Sequence, residues 1–557
     1  MSDPSSSSSD SSTDSADSDE RLQDYDEDVY YPPTGTYQNS PSTTYPQNIQ
    51  TPGTPSAPTL PGLQELKSSP MDAEPGPSRG PFKFGKPPPK RKVSPEPVKK
   101  LRLLIYNAFQ IVTPTDEMDV RFLAGRDQGR VVVFSDEQRG GVGLAVDENG
   151  IIEFMGNSME LRDKYEGYDV ERYIDASKMT IMPGFIDAHT HPIWVADRLE
   201  EFKDMLERTP EEEQPKHKYN EGAIDIAINT SHTDDEAIYA SLVKRLRRMV
   251  KSGTVFVECK SGYALLWEEE VRLLKLLNRA KEQFKNMLDM SITYFGGHIR
   301  PGFNVGDAAR EIIFKQLPRI KKLGETKGLQ VHNIDVYCDP GVYGIDEAKH
   351  ILEAGHEIGM SINFHADEFS RMGSAEMGAE LGARAISCLQ RVSNRGIKMM
   401  SESGTIAVLL PASAYMKRQD FPHARKLIRR KVPVALGSDF SPSISCYSMP
   451  MVMNMACACM GMSMEEALIA ATLNAAATID NTGLHGAVAV GKYADLVLIE
   501  APRWEHIIWQ FGTHNDLISF VIKKGKIVKG LYPDSSIYIE THRSLHDDSE
   551  AMDVSSD

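Results

Sequence analysis

Between residues 181 and 440 the chain repeats one pattern: a short apolar run rich in β-branched residues, then a longer stretch with apolar positions three and four apart. Eight such runs occur: IMPGFIDA (181–188), TVFVECK (254–260), SITYFGG (291–297), NIDVYC (333–338), SINFHA (361–366), ARAISCL (383–389), TIAVLLP (405–411) and PVALGSD (433–439). The segment DDEAIYASLVKRLRRMVKSG at 234–253 typifies what lies between them, with acids in its first turn, bases in its last and a closing glycine, all of which suit a helix macrodipole. Alternating strand and helix patterns predict a parallel sheet, and this number of units predicts an α/β fold of the (β/α)8 TIM-type barrel class. In such a barrel the chemistry belongs at the C-terminal ends of the strands.

The flanks read differently. LRLLIYNAFQIVT, RVVVFSD and GVGLAVDENGIIEFMG before the barrel, and ADLVLIEA and FVIKKGKIVKG after it, alternate as hairpin strands, with turns at Glu148-Asn149-Gly150 and Lys524-Gly525. They predict a small composite β-sandwich built from residues 100–180 and 485–535, enclosing a barrel at 181–484. Residues 1–99, dense in Ser, Thr, Pro and Asp, and residues 536–557 carry too little apolar surface to offset the entropy of ordering and are expected to be disordered. The basic run Lys90-Arg91-Lys92 in the first tail reads as a solvated segment in preference to a nuclear-import patch.

A chain of 557 residues with 40% hydrophobic content has ample material for a large core. No apolar run approaches the roughly 20 residues of a bilayer span, and the first residues lack an apolar signal core, so a cytoplasmic location and no membrane partner are expected. The net charge of −17, with no basic face in the core, argues against nucleic acid. Six scattered cysteines in such a chain are expected to be free thiols.

Candidate chemistry falls at the strand ends. His189 and His191, at i and i+2 after the first strand, project to one face and can grip one cation. His365 at the end of the fifth strand and Asp439 at the end of the eighth complete an open set for one Zn²⁺ or Fe²⁺/Fe³⁺ per subunit, with a position left for water. A cation there acidifies water and polarises a carbonyl, which suits amide hydrolysis. Asp439 is placed to accept the water proton and pass it to a leaving nitrogen, and Glu368, three residues after His365, to bond substrate or shuttle a proton.

The strings PGFIDAHTHPIW, VECKSGYAL, NFHADEF, AVLLPASAY, ALGSDFSP, SMPMVMNMAC, PRWEHIIWQFG and VIKKGKIV resemble the imidazolonepropionases over roughly residues 100–530. That resemblance implies a hydrolase opening 4-imidazolone-5-propanoate to N-formimidoyl-L-glutamate in histidine degradation. It implies metal ligation by His189, His191, His365 and Asp439. It further implies that Arg198 holds the substrate carboxylate, that Tyr263 and His298 contact substrate, and that Glu368 meets the imidazolone ring. Lys260, at a position where two-metal relatives carry a bridging lysine, is expected to be an ion-pair residue because imidazolonepropionases hold one metal.

Three departures stand out. The sixth strand usually ends in a histidine that positions the attacking water, and here Cys388 stands in Ser387-Cys388-Leu389-Gln390, a thiol that cannot duplicate an imidazole donor. After Asp439 the usual asparagines that bind product are replaced by Ser441 and Ser443. Residues 208–232 lack the expected glycine-rich loop, so a covering loop is remodelled. Two further readings are a catalytically impaired metal-binding homologue and a hydrolase of another cyclic amide or amidine. Base rates suggest a homodimer.

Overall fold

The computed structural model describes residues 99–207, 216–296 and 304–530, apart from positions 137, 139, 265, 480 and 481. Residues 1–98 of the first predicted tail, the second tail, Lys90-Arg91-Lys92 and His298 lie outside the described residues, while Lys99 O accepts from Asp169 N at 3.1 Å.

The eight runs become eight neighbouring parallel strands: β1 (Phe185–Asp187), β2 (Thr254–Lys260), β3 (Asp289–Phe295), β4 (Asn333–Asp335), β5 (Ser361–Ala366), β6 (Ala385–Cys388), β7 (Ile406–Leu409) and β8 (Val434–Leu436). Their residues are buried almost throughout, as strands covered on both faces must be. Ala188 N donates to Leu436 O at 3.4 Å, Asp439 N donates to His189 O at 3.0 Å, and Thr190 bridges to Phe440, so the ends of β1 and β8 meet and the barrel closes. The carboxyl of Asp187 fastens the same seam. It accepts from Ser438 N at 2.9 Å and Ser438 Oγ at 2.6 Å, and burial raises it to about 7 against those two bonds.

Two of the runs are broken. In 181–188 the first half belongs to Thr180–Pro183, which pairs with Leu496–Ile499, and only the second half enters the barrel. The chain changes sheets at Gly184, where a Cβ would stand 2.5 Å from Val255 Cγ1. The fourth run is interrupted at Val336, and Tyr337–Cys338 resumes pairing with β5.

Outside the barrel, Lys100–Ala108, Val142–Val146, Ile152–Asn157 and Asp169–Asp175 form a four-stranded sheet. Gln110–Thr113, Val132–Phe134 and Thr180–Pro183 share a six-stranded sheet with Leu496–Ile499, Ile518–Lys523 and Lys526–Lys529. One apolar core lies between these sheets, joining Leu103, Ile105 and Leu144 to Ile181, Leu496 and Ile522. Where a loop was expected across 208–232, Lys216–Ser231 is helical. Ala223, Ile226, Ala227 and Thr230 are among its buried positions, and their spacing puts them on one helical stripe.

At the N-terminal end of the barrel a buried ionic cluster ties β3 to the six-stranded sheet. Lys523 Nζ lies 2.7 Å from Asp289 Oδ2 and 2.6 Å from Asp495 Oδ2, and His485 Nδ1 lies 2.8 Å from Asp495 Oδ2. Its carboxylates and imidazole come close enough together to grip a cation, and the Lys523 ammonium fills that role. All six cysteines are free. No described helix is long and apolar enough to cross a membrane.

Candidate active site

The C-terminal ends of β1, β5 and β8 converge on one point. His189, His191 and His365 are buried, with ligand atoms all within 4.8 Å of one another. His189 Nε2 and His191 Nε2 are 3.3 Å apart, and Asp439 Oδ1 is 3.8 and 3.6 Å from them. Four donors around one ion at about 2.1 Å stand roughly 3.3 Å from each other, so this spacing is that of a ligand set. Two of the rings are aimed by their other nitrogen: His189 Nδ1 meets Ser387 Oγ at 2.8 Å, and His365 Nδ1 meets Asp335 Oδ1 at 3.0 Å. Both contacts leave Nε2 turned inward. Burial, with Lys260 nearby, drives the His189 ring well below its usual range, so it is neutral with a lone pair to offer. The donors therefore fit a divalent metal.

Behind the imidazoles runs a second row. Lys260 Nζ lies 2.6 Å from Glu258 Oε1 and 2.7 Å from Asp335 Oδ2, and Thr293 Oγ1 donates to Glu258 at 2.5 Å. Burial opposes the Lys260 charge, but Asp335 and Glu258 outweigh it and raise the ammonium above its ordinary value. A carbamate bridge needs a neutral amine, so this protonated, ion-paired lysine serves as structure.

A small cavity opens above the histidines, lined in part by His191, Tyr263, Tyr337, Glu368, Lys417 and Asp439. Glu368 is held from three sides. Tyr337 OH donates to Oε2 at 2.7 Å, Lys417 Nζ to Oε1 at 3.0 Å and Cys388 Sγ to Oε2 at 3.6 Å. Burial raises the Glu368 carboxyl, but Lys417 and Tyr337 outweigh it and the net shift is downward, leaving a carboxylate. Asp439 shifts the other way, since burial outweighs Lys417 and Ser413. The Cys388 thiol, buried beside Glu368, lies well above its usual range and is neutral. Backbone strain collects here: Asp367, Cys388, Leu389 and Asp439 all have left-handed φ, between 50° and 79°.

Of the residues singled out in the sequence, His191, Tyr263, His365, Glu368, Cys388, Asp439 and Ser441 line the cavity. His189 completes the ligand cluster. Arg198 and Ser443 do not line it. Arg198 Nη1 donates to Ser443 Oγ at 2.8 Å and Nη2 pairs with Glu201, so a substrate carboxylate must displace Glu201 to claim the fork. Sequence reasoning missed Lys417, Tyr337, Asp335 and Ser387. Tyr337 and Asp335 sit in the NIDVYC run and Ser387 beside Cys388, each at a strand end, whereas Lys417 follows a helical turn and carries no motif.

Gly437 packs directly under the ligands. A methyl there would approach His189 Cβ to 2.6 Å and its backbone N to 3.1 Å. Gly437→Ala is expected to fold but to weaken metal binding by about 10- to 100-fold, the range for displaced ligand support. Metal competition with a chromophoric chelator measures it.

A closed barrel with three imidazoles and a carboxylate at its strand ends defines the class of metal-dependent hydrolases. The amidohydrolase family description matches residues 180–528. A mouse (Mus musculus) protein termed "Probable imidazolonepropionase" is 42% identical over 428 residues, 77% of this chain and 98% of its own length. The human (Homo sapiens) protein of that name is 43% identical over 427 residues, covering 76% and 98%. A zinc-bound Xanthomonas campestris adenosine deaminase superposes with a TM-score of 0.57 at 17% identity, over 82% of this chain and all of that one, a likeness of fold. The chain belongs to the amidohydrolase family and, within it, to the group of these probable imidazolonepropionases.

Proposed function

We propose that the protein hydrolyses 4-imidazolone-5-propanoate to N-formimidoyl-L-glutamate. The observation that carries this reading is the meeting of an imidazole cluster with two carboxylates, Asp439 and Glu368, in one cavity of a chain from this family. His189, His191, His365 and Asp439 would hold one Zn²⁺ or iron ion, which supplies Lewis acidity toward the ring carbonyl and toward water. Asp439, on the cavity wall beside the imidazole cluster, takes the proton of the attacking water and delivers it to the ring nitrogen as the carbonyl C–N bond breaks. The water oxygen stays on the carbonyl carbon, which becomes the new carboxylate. Glu368, kept ionised, accepts from the ring N–H and fixes the ring face. Tyr263 and Ser441 line the cavity and are the proposed contacts for the substrate's polar edge.

Arg198 is the proposed anchor for the propanoate, with Ser443 aligning its fork. Arg198→Met should raise KM by about 10- to 100-fold, the worth of one charged hydrogen bond, with kcat nearly unchanged, in initial-rate assays. An unchanged KM would remove the arginine from the carboxylate site. The reading itself is tested by following imidazolone absorbance with the purified chain, using substrate generated from urocanate. Turnover lost on chelation and restored by one equivalent of Zn²⁺ or Fe²⁺ supports it and identifies the metal. Absence of turnover in the metal-loaded protein overturns it.

A further inference from the structure

We propose that Lys417 is a positioning residue of this reaction: its ammonium, brought from the end of the seventh strand, holds Glu368 in place where the sixth strand offers only a neutral thiol. The inference rests on the imidazolone-hydrolysis reading. Lys417 caps the short helix Pro411–Met416 that follows β7, its N–H donating to Ser413 O at 2.9 Å, so its backbone is fixed. The side chain is 12% exposed and turns into the cavity, with Nζ 3.0 Å from Glu368 Oε1 and 4.0 Å from Asp439 Oδ2.

Two nearly buried carboxylates facing one small cavity repel each other, and a cation set between them removes that repulsion and fixes their orientation. The neighbours of Glu368 show why the charge is needed. Tyr337 and Cys388 both meet Oε2, and the thiol contact, at 3.6 Å, is a weak one. Oε1 has Lys417 as its strong donor. An imidazole at position 388 would stand where it could reach the same carboxylate with an N–H. Lys260 and Lys523, which hold the frame together, are fully buried and do not line the cavity. Lys417 instead shares the cavity wall with the residues proposed to do the chemistry.

The test uses the full metal-loaded chain and five proteins: the parent, Lys417→Met, Lys417→Arg, Cys388→His and the Lys417→Met/Cys388→His double variant. Steady-state rates on 4-imidazolone-5-propanoate are measured beside calorimetric binding of N-formimidoyl-L-glutamate. Lys417→Met is expected to lose about ten- to a hundredfold in kcat, the effect of one charged hydrogen bond, with a small change in KM and unchanged metal content. Lys417→Arg should recover most of the loss. Adding Cys388→His to Lys417→Met should raise kcat above that of the single variant, because an imidazole then supplies the missing donor. Parent-like kcat in Lys417→Met, or equal loss in the Met and Arg variants with no recovery from the histidine, overturns the proposal while leaving the hydrolase reading intact. A parent that does not turn over the substrate overturns both. Product binding that collapses in Lys417→Met with kcat preserved would make the residue a binding group and also overturn the positioning role.

Discussion

Asp439→Asn is expected to lower kcat by about 10²- to 10⁴-fold, the usual worth of a positioned proton-transfer group, while most of the bound metal is retained. The amide keeps an oxygen at the position of Oδ1, near His189 Nε2 and His191 Nε2, so the ligand geometry survives in part. What it cannot do is accept a proton. Its carboxyl faces the cavity beside His189 and His191, where it can take a proton from an attacking water and hand it on. Metal content by atomic absorption, set against kcat, separates the two functions. If the variant retains metal and turns over like the parent, Asp439 is a ligand only and the base lies elsewhere.

Lys523→Met is expected to destabilise the fold by about 3–5 kcal/mol, the cost of breaking a buried ion pair by removing one partner. The lysine is fully buried between Asp289 and Asp495, and its loss leaves the buried Asp495 carboxylate with His485, and the partly exposed Asp289 with Lys524 and His485, as the remaining side-chain partners. The same cluster sets an acid limit. Burial pushes Asp495 up, but Lys523 and His485 outweigh it and hold the carboxyl far below its usual range. A depressed folded pKa adds stability that is complete above the unfolded value, near pH 4, and fades as pH falls through the folded value. In Lys523→Met that depression is relieved, so the acid limb of the stability curve should flatten as its plateau drops. Urea unfolding from pH 7 down to pH 3 would show this. A parent-like plateau would mean that His485 and Lys524 suffice.

Much of this was legible in the chain itself, for physical reasons. The barrel strands are covered on both faces, so they appear as short runs dense in apolar residues, and β2 and β5 match their sequence patterns residue for residue. The run 181–188 misled because one apolar stretch serves two sheets in turn, and apolarity does not reveal a change of partner at Gly184. The helix Lys216–Ser231 was hidden because its buried face is built from Ala and Thr as much as from Ile, which weakens the apolar stripe. Within the site, residues fixed by β-strand geometry, such as His189 and His191, announced themselves by spacing. Lys417 did not, since its position depends on where a short helix ends in space. Arg198 was noticed, yet its pairing with Glu201 is a side-chain choice that no pattern encodes.

The six-stranded sheet takes Thr180–Pro183 from before the barrel and Leu496–Ile499 from after it. During synthesis the first of these segments therefore leaves the ribosome with one edge open, and its partner arrives only after the whole barrel has been made. Until then Ile181 and Met182, fully buried in the finished protein, stand on an unpaired strand edge. A chain cut short before residue 496 keeps every proposed metal ligand yet cannot cover that edge. Its fate is governed by aggregation and chaperone capture, not by the chemistry at the other end of the barrel.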